Sequence, residues 1–335
     1  MPILYPLNEL NHIEALYKTG QPYLRRKTLT TIHFDGYDLP LDSFSLGSEN
    51  RASPVLAFVG GIHGLERIGS EIILAFMESL IERLQWDVSL IDGLGNLRLL
   101  FIPAVNPVGM LRQTRANGNH VDLMRNAPVE AEGKVPFLVG GHRFTSRLPW
   151  YRGKDGDEMQ LEAAVVCEEI KSQLFVAPYS LVLDCHSGFG FQDRLWFHYA
   201  FKREPLENLA EVYALFKVMN KTYPHLTYHF EPQTHHYSTH GDLWDYLYQQ
   251  SLDYGTTFLP LTLEMGSWRW VRKNPMQVFS ALGLFHPIKP HRVQRTLHTI
   301  FMEFLIRAVR AYNTWNPTAE SRDQYTEAEL KHWYE

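Results

Sequence analysis

A chain of 335 residues with 45% hydrophobic and 21% charged residues can bury a large core, and its length admits two domains or one large α/β domain. Its 32 basic and 37 acidic residues leave a net charge of -5 with no long run of one sign, which excludes a nucleic-acid footprint and a polybasic tail. Two cysteines, Cys167 and Cys185, exclude a disulfide framework, and no apolar segment is long enough to span a bilayer.

Strands and helices alternate along the chain. Residues 54–59 form a short apolar run rich in strand formers, closed by Gly60 and Gly61. An amphipathic helix is predicted over 68–84, with Ile72, Ile73, Phe76, Met77, Leu80 and Leu84 on its apolar face. A strand over 97–102 stops at Pro103, a helix over 158–174 follows, and a buried strand covers 181–185. Residues 206–221 read as a helix and 259–264 as a late strand, with Pro260 near its start, where a missing N–H is tolerated. A closing helix is predicted over 291–312, its apolar set including Val293, Leu297, Ile300, Phe301, Phe304, Leu305 and Ala308. Segments 113–156 and 222–241 are long and polar, as excursions over a site are. With no repeat and no linker, one domain over 1–335 is expected.

Continuous apolar strands alternating with helices imply a mostly parallel sheet covered on both faces, whose ligands bind beyond the carboxyl ends of the strands. The chemistry-bearing residues fall there. His63 and Glu66 follow one strand, Asn106 another, His186 a third, and Glu264 closes a fourth. His63 and Glu66 are three apart where a strand gives way to a helix, so one turn can aim both at one ion. His-x-x-Glu recurs by chance, but a third candidate, His186, sits just past a buried strand; the alternative for it is a strand-end histidine bonded to backbone. Two histidines and a glutamate with a fourth position left for water form a known catalytic zinc set. Asp184 shares the side of its strand with His186 and can support that ligand or cap a neighbouring loop. Glu264, facing such an ion, can serve as general base; the alternative is a salt-bridged strand end.

In this order the residues resemble the zinc carboxypeptidase family, the carboxypeptidase A-like metallopeptidases. The segment from Gly60 through His63 to Glu66 looks like the family's first two metal ligands, and His186-Ser187 like its third. Asn106-Pro107-Val108-Gly109 is similar to its Asn-Pro-Asp-Gly turn, with Val108 for the aspartate. Thr114 to Asn117 and Val121 to Asn126 resemble its substrate-binding stretch, and Thr262-Leu263-Glu264 resembles the segment bearing its catalytic glutamate. The resemblance implies a mixed, mostly parallel eight-stranded sheet flanked by helices, one zinc ion on His63, Glu66 and His186, and attack of a promoted water on an amide carbonyl. It gives Glu264 the role of base and Arg115 that of polarising the scissile carbonyl. Arg125 would pair with the substrate carboxylate, and Tyr237 would close over substrate, with His235, His236 and Tyr246 as rivals.

Met124 stands where the family usually has an asparagine before the carboxylate-binding arginine. The N-terminus shows no basic region followed by an apolar stretch, unlike the secreted digestive members. The expectation is therefore a cytoplasmic hydrolase, not membrane-bound, acting on a small peptide, a peptidoglycan-derived fragment or an N-acyl amino acid. A zinc deacylase or amidase on the same scaffold is the second reading. A binding protein that keeps the fold is the third.

Overall fold

The computed structural model describes residues 4–280, 282–287 and 292–335, the side chains of 292–297 and 329 excepted. In chain order the elements are α1 (Asn8–Gly20), β1 (Arg25–Phe34), β2 (Tyr37–Gly47), β3 (Val55–Gly60), α2 (Arg67–Arg83), α3 (Val88–Leu94), β4 (Arg98–Ile102), α4 (Pro107–Arg112), α5 (Leu161–Leu174), β5 (Tyr179–Ser187), β6 (Arg194–Phe197), α6 (Leu209–Thr222), β7 (His229–Pro232), α7 (Leu243–Ser251), β8 (Thr257–Met265), α8 (Trp268–Lys273), α9 (Arg292–Arg310), α10 (Tyr312–Trp315) and α11 (Ala319–Trp333). The predicted strands and helices are all present, with ends shifted by a few residues. His291, the expected start of the closing helix, lies outside the described residues, as do the side chains of Val293 and Leu297.

The eight strands form one sheet in the order β1-β2-β4-β3-β5-β8-β6-β7. The centre, β4-β3-β5-β8, is parallel. Antiparallel pairing enters at β2 and at β6, and β6 and β7 run parallel at the far edge. Every residue of β3, β4 and β5 is buried, as covering both faces of a parallel sheet demands. Helices α1, α2 and α9 pack together over β3 and β5, while α5 and α7 pack over β5 and β8. Phe58 links the layers, stacking on Phe101 and meeting Phe76 of α2 edge-on, with both centroid distances 5.4 Å. The six apolar positions predicted for α2 are all buried, but Ile300 of α9 is 38% exposed.

The β1-β2 hairpin was not predicted. Asp35 and Gly36 turn it, both with positive φ (48° and 78°), the pairing that a two-residue hairpin requires. This hairpin extends one edge of the sheet and leaves the strand ends at its centre to build a site.

Candidate active site

The ends of β3 and β5 bring three predicted ligands together. His63 Nδ1 lies 3.0 Å from Glu66 Oε1 and 3.1 Å from His186 Nδ1, and His186 Nδ1 lies 2.9 Å from Glu66 Oε2. The turn that carries them is tied from two sides. Asn106 caps α4 through Gly109 N at 2.8 Å and donates from Nδ2 to Ile62 O at 3.1 Å. At Gly64 a Cβ would fall 1.9 Å from the Gly109 carbonyl carbon, so only glycine lets the two turns approach this closely.

Each imidazole is held from behind by a carboxylate. His63 Nε2 donates to Asp122 Oδ1 at 3.1 Å, and His186 Nε2 donates to Asp184 Oδ2 at 2.5 Å. Trp244 Nε1 donates to the same Asp184 oxygen at 2.7 Å. With a proton on each Nε2, both Nδ1 atoms turn lone pairs toward Glu66, an arrangement that needs a proton or a cation between them. A tetrahedral ion with bonds of about 2.0–2.2 Å sets its donors roughly 3.3 Å apart, so the triangle fits a zinc-sized ion with small adjustment. Carboxylates behind both histidines are the usual support of such ligands.

The charges agree with that fit. Burial pushes the Glu66 carboxyl up, but His63 and His186 outweigh it and hold it well below the usual range. Burial lowers the affinity of His186 for a proton, yet the charge and hydrogen bond of Asp184 raise it well above an ordinary histidine. Asp122 resists its burial through the charges of Arg115 and His63 and stays far below the usual carboxylate range.

Glu264 stands in register beside His186, across the β5-β8 pairing. Its Oε1 accepts from Phe189 N at 3.0 Å. Burial, reinforced by the Glu66 charge, pushes its carboxyl up to about 8 in the metal-free protein. Arg115 donates from Nε to Asp122 Oδ2 at 2.6 Å and from Nη1 to Glu66 Oε1 at 3.4 Å, beneath the ring of Trp150.

Arg125 is 3% exposed; among the described residues its guanidinium donates to Met124 O at 3.2 Å and Val139 O at 3.4 Å and forms no salt bridge, with the charges of Asp122 and Asp242 nearby. Gly241 allows this placement. A Cβ there would come within 1.9 Å of Arg125 O, and its φ is +67°. Met124, at the position usual for the family's asparagine, is buried in the core cluster and also touches the cavity.

All seven predicted residues line one cavity of about 420 Å³. Tyr237 reaches it, packed against Phe189 and Trp196. The three rivals are occupied elsewhere. His235 bonds Trp333 O, His236 bonds Glu231, and Tyr246 sits over Lys171.

Asp122, Trp244 and Asp242 carried no assigned role in the sequence reading, because the contacts that define them join residues far apart along the chain. Asp242 lines the cavity, caps α7 through Trp244 N at 3.0 Å, and leaves Oδ2 without a hydrogen-bond partner. With His198 and Asp245 it forms a second buried group of metal-type ligands, but Asp245 is engaged by Ala200 N and Phe201 N.

Burial pushes the Asp242 carboxyl up to about 6 from 3.8; His198 works against that rise and the Asp245 charge with it. An acid raised on folding stabilises fully below its unfolded pKa, and that contribution is lost as pH climbs through the folded value. Asp242→Asn, which keeps the cap, should therefore exceed wild type in stability by only about 1 kcal/mol near pH 4.5, a little above the unfolded pKa. By about pH 8 it should be the more stable by on the order of 2–3 kcal/mol. Urea unfolding at both pH values tests this; a constant difference between the proteins would refute it.

Fold and site together place a candidate metal-ligand cluster at the carboxyl edge of a mixed sheet. Residues 17–267 match the family model described as zinc carboxypeptidase, so the chain belongs to the zinc carboxypeptidase family. It is 28% identical over 130 residues to human (Homo sapiens) carboxypeptidase D. That stretch covers 36% of this chain and only 9% of the relative's length. Its fold is similar to that of thrombin activatable fibrinolysis inhibitor, with a TM-score of 0.64 and 18% identity over 92% of this chain and 73% of the other. The carboxypeptidase A of Helicoverpa armigera gives a TM-score of 0.62 and 18% identity, over 89% and 71% of the two chains. Among the described residues no helix is long and apolar enough to cross a membrane.

Proposed function

We propose that this protein is a zinc-dependent carboxypeptidase that removes a C-terminal residue from a small peptide. One observation carries the reading: Arg125, a buried arginine with no salt-bridged carboxylate among the described residues, shares a single cavity with the His63-Glu66-His186 triangle and with Glu264. A buried guanidinium that no carboxylate contacts directly is costly, and its planar fork matches a carboxylate. His63, Glu66 and His186 would hold the zinc. When bound, that ion supplies Lewis acidity at neutral pH.

The chain's own groups divide the remaining work. Arg125 binds the substrate carboxylate and sets the register of the peptide. Glu264 takes a proton from the attacking water as the new C–O bond forms and returns it to the leaving amine as the C–N bond breaks. Arg115, held by Asp122, presents positive charge where the carbonyl oxygen becomes negative. Tyr237 and the ring walls of Trp150, Trp196, Phe189 and Trp268 exclude water around the bound residue. Asp242, whose carboxylate lies in the cavity lining, supports a preference for a cationic C-terminal side chain.

The test is a panel of dipeptides and short peptides ending in lysine, arginine or phenylalanine, together with N-acyl amino acids. Arg125→Gln should raise KM roughly 10- to 100-fold, the value of one charged hydrogen-bonding contact, with a smaller change in kcat. An unchanged KM would remove Arg125 from substrate binding. Cleavage of N-acyl amino acids with peptides untouched would transfer the reading to a deacylase.

A cytoplasmic setting is part of the proposal, supported by two buried, unpaired cysteines, Cys167 and Cys185. Burial pushes the Cys167 thiol up to about 12, so it is inert as a nucleophile. Fractionation of the producing cell tests the location.

A further inference from the structure

We infer that the end of the sheet opposite the active site carries an anion-binding site, built from Arg25, Arg51 and Arg98 for a phosphate group. The three arginines line a cavity of about 410 Å³ together with Ser48, Glu49 and Gln173. Arg98 opens β4 and pairs with Val55 at the start of β3, whereas the metal-type ligands follow the far end of β3. A strand of that length separates the two sites by roughly 17 Å or more.

Arg98 is the unusual member. It is only 8% exposed, yet no carboxylate among the described residues pairs with it. Its contacts are carbonyl-type oxygens: Gln173 O at 2.8 Å, Arg51 O at 3.2 Å and Gln173 Oε1 at 3.4 Å. Its buried Nε has no hydrogen-bond partner among the described residues. Arg51, itself exposed, donates to Ser172 O at 2.9 Å and pairs with no carboxylate among the described residues. Arg25 bonds Ser45 Oγ and Gly47 O and has the one acidic neighbour, Glu49, at 3.4 Å.

One bland account is that Arg51 and Arg98 cap the C-terminal carbonyls of α5. That account covers only part of the charge. A helix end offers about half a negative charge, and Glu49 offers one more. Against three guanidinium groups this leaves roughly one and a half positive charges in excess. Burial and the nearby Arg51 charge already make the Arg98 cation harder to maintain than an ordinary arginine. A phosphate dianion matches that excess and accepts forked hydrogen bonds from arginine. The volume is that of a small-molecule pocket and admits a phosphate bearing an organic group. This site does not depend on the peptidase reading.

Calorimetric titration of the full-length, zinc-loaded protein at constant ionic strength tests it, using inorganic phosphate and ribose 5-phosphate as separate probes. Saturable binding of either probe is expected. Arg51→Gln and Arg25→Gln should each weaken it at least tenfold and leave peptide turnover unchanged. Tighter binding of ribose 5-phosphate identifies an organic phosphate as the occupant; equal binding identifies the phosphate ion alone. The control is Arg125→Gln, which should bind both probes as wild type does. The inference is overturned if neither probe binds, if Arg51→Gln binds as wild type does, or if Arg125→Gln abolishes binding and thereby moves it to the active site. Arg98→Met is the direct variant; should it fail to fold, the two less buried arginines still decide the question.

Discussion

Glu264→Gln is expected to lower kcat on peptide substrates by about 10³-fold or more while zinc content stays at the wild-type level. The substitution is nearly isosteric. Its amide oxygen can still accept from Phe189 N, the contact that joins β8 to the loop after β5. What disappears is the ability to take up a proton, and positioned general bases contribute typically about 10²–10⁴-fold. Glu264 hydrogen-bonds to none of the three ligands, so the metal triangle has no reason to open. The glutamine also removes a buried carboxyl that the Glu66 charge opposes, so the metal-free variant should be no less stable than wild type. Steady-state kinetics beside elemental analysis separates the two effects. A variant within tenfold of wild-type kcat would assign the proton transfer to another group; a variant that loses its zinc would make Glu264 a structural part of the metal site.

The central strands could be read from the chain because burial on both faces writes an unbroken apolar run, as in β3 and β5. The outer strands carry no such signature. In β1 most positions are exposed or half-buried, since the strand lies at an edge, and its period is obscured by a register shift between Thr28 and Thr30. β6 and β7 have four residues each, too short for any period to emerge. Helix α11 has a mostly polar sequence and is anchored by Trp333, whose indole donates to Phe230 O at 2.9 Å. Only its tertiary partner makes that helix intelligible.

The site divides in the same way. His63 and Glu66 lie within one turn, and His186 and Glu264 end strands, so local patterns expose them. Asp122 reaches His63 across 59 residues from an irregular loop, and Trp244 reaches Asp184 across 60. No local periodicity encodes either contact. Arg125 shows the intermediate case. Its position follows from family resemblance, but its solitude does not. That depends on Gly241 lying flat against its backbone and on Val139 O and Met124 O being its hydrogen-bond partners among the described residues.

Stripping the metal should lower the melting temperature by about 4–8 °C, and titrating zinc back should restore it in step with occupancy. A ligand held by the folded state alone, at about 1,000 times its dissociation constant, adds about 4 kcal/mol, and for a chain of this size each kcal/mol moves the midpoint by roughly 1–2 °C or more. The structural reason is the crowding at the centre. Two Nδ1 atoms 3.1 Å apart and both Glu66 oxygens within 3.0 Å of them form a buried cluster that a divalent cation joins into one unit. Asp184→Asn probes the same cluster from behind. The amide keeps the side-chain volume but can present N–H instead of oxygen to His186 Nε2, which would push the ring proton onto Nδ1, where the metal should bind. Zinc affinity in competition with a chelator should then fall about 10- to 100-fold, while His63, held by Asp122, keeps its orientation. If the midpoint proves indifferent to free zinc, or if Asp184→Asn binds zinc as tightly as wild type, the triangle is a hydrogen-bonded cluster and the metal-dependent chemistry must be abandoned.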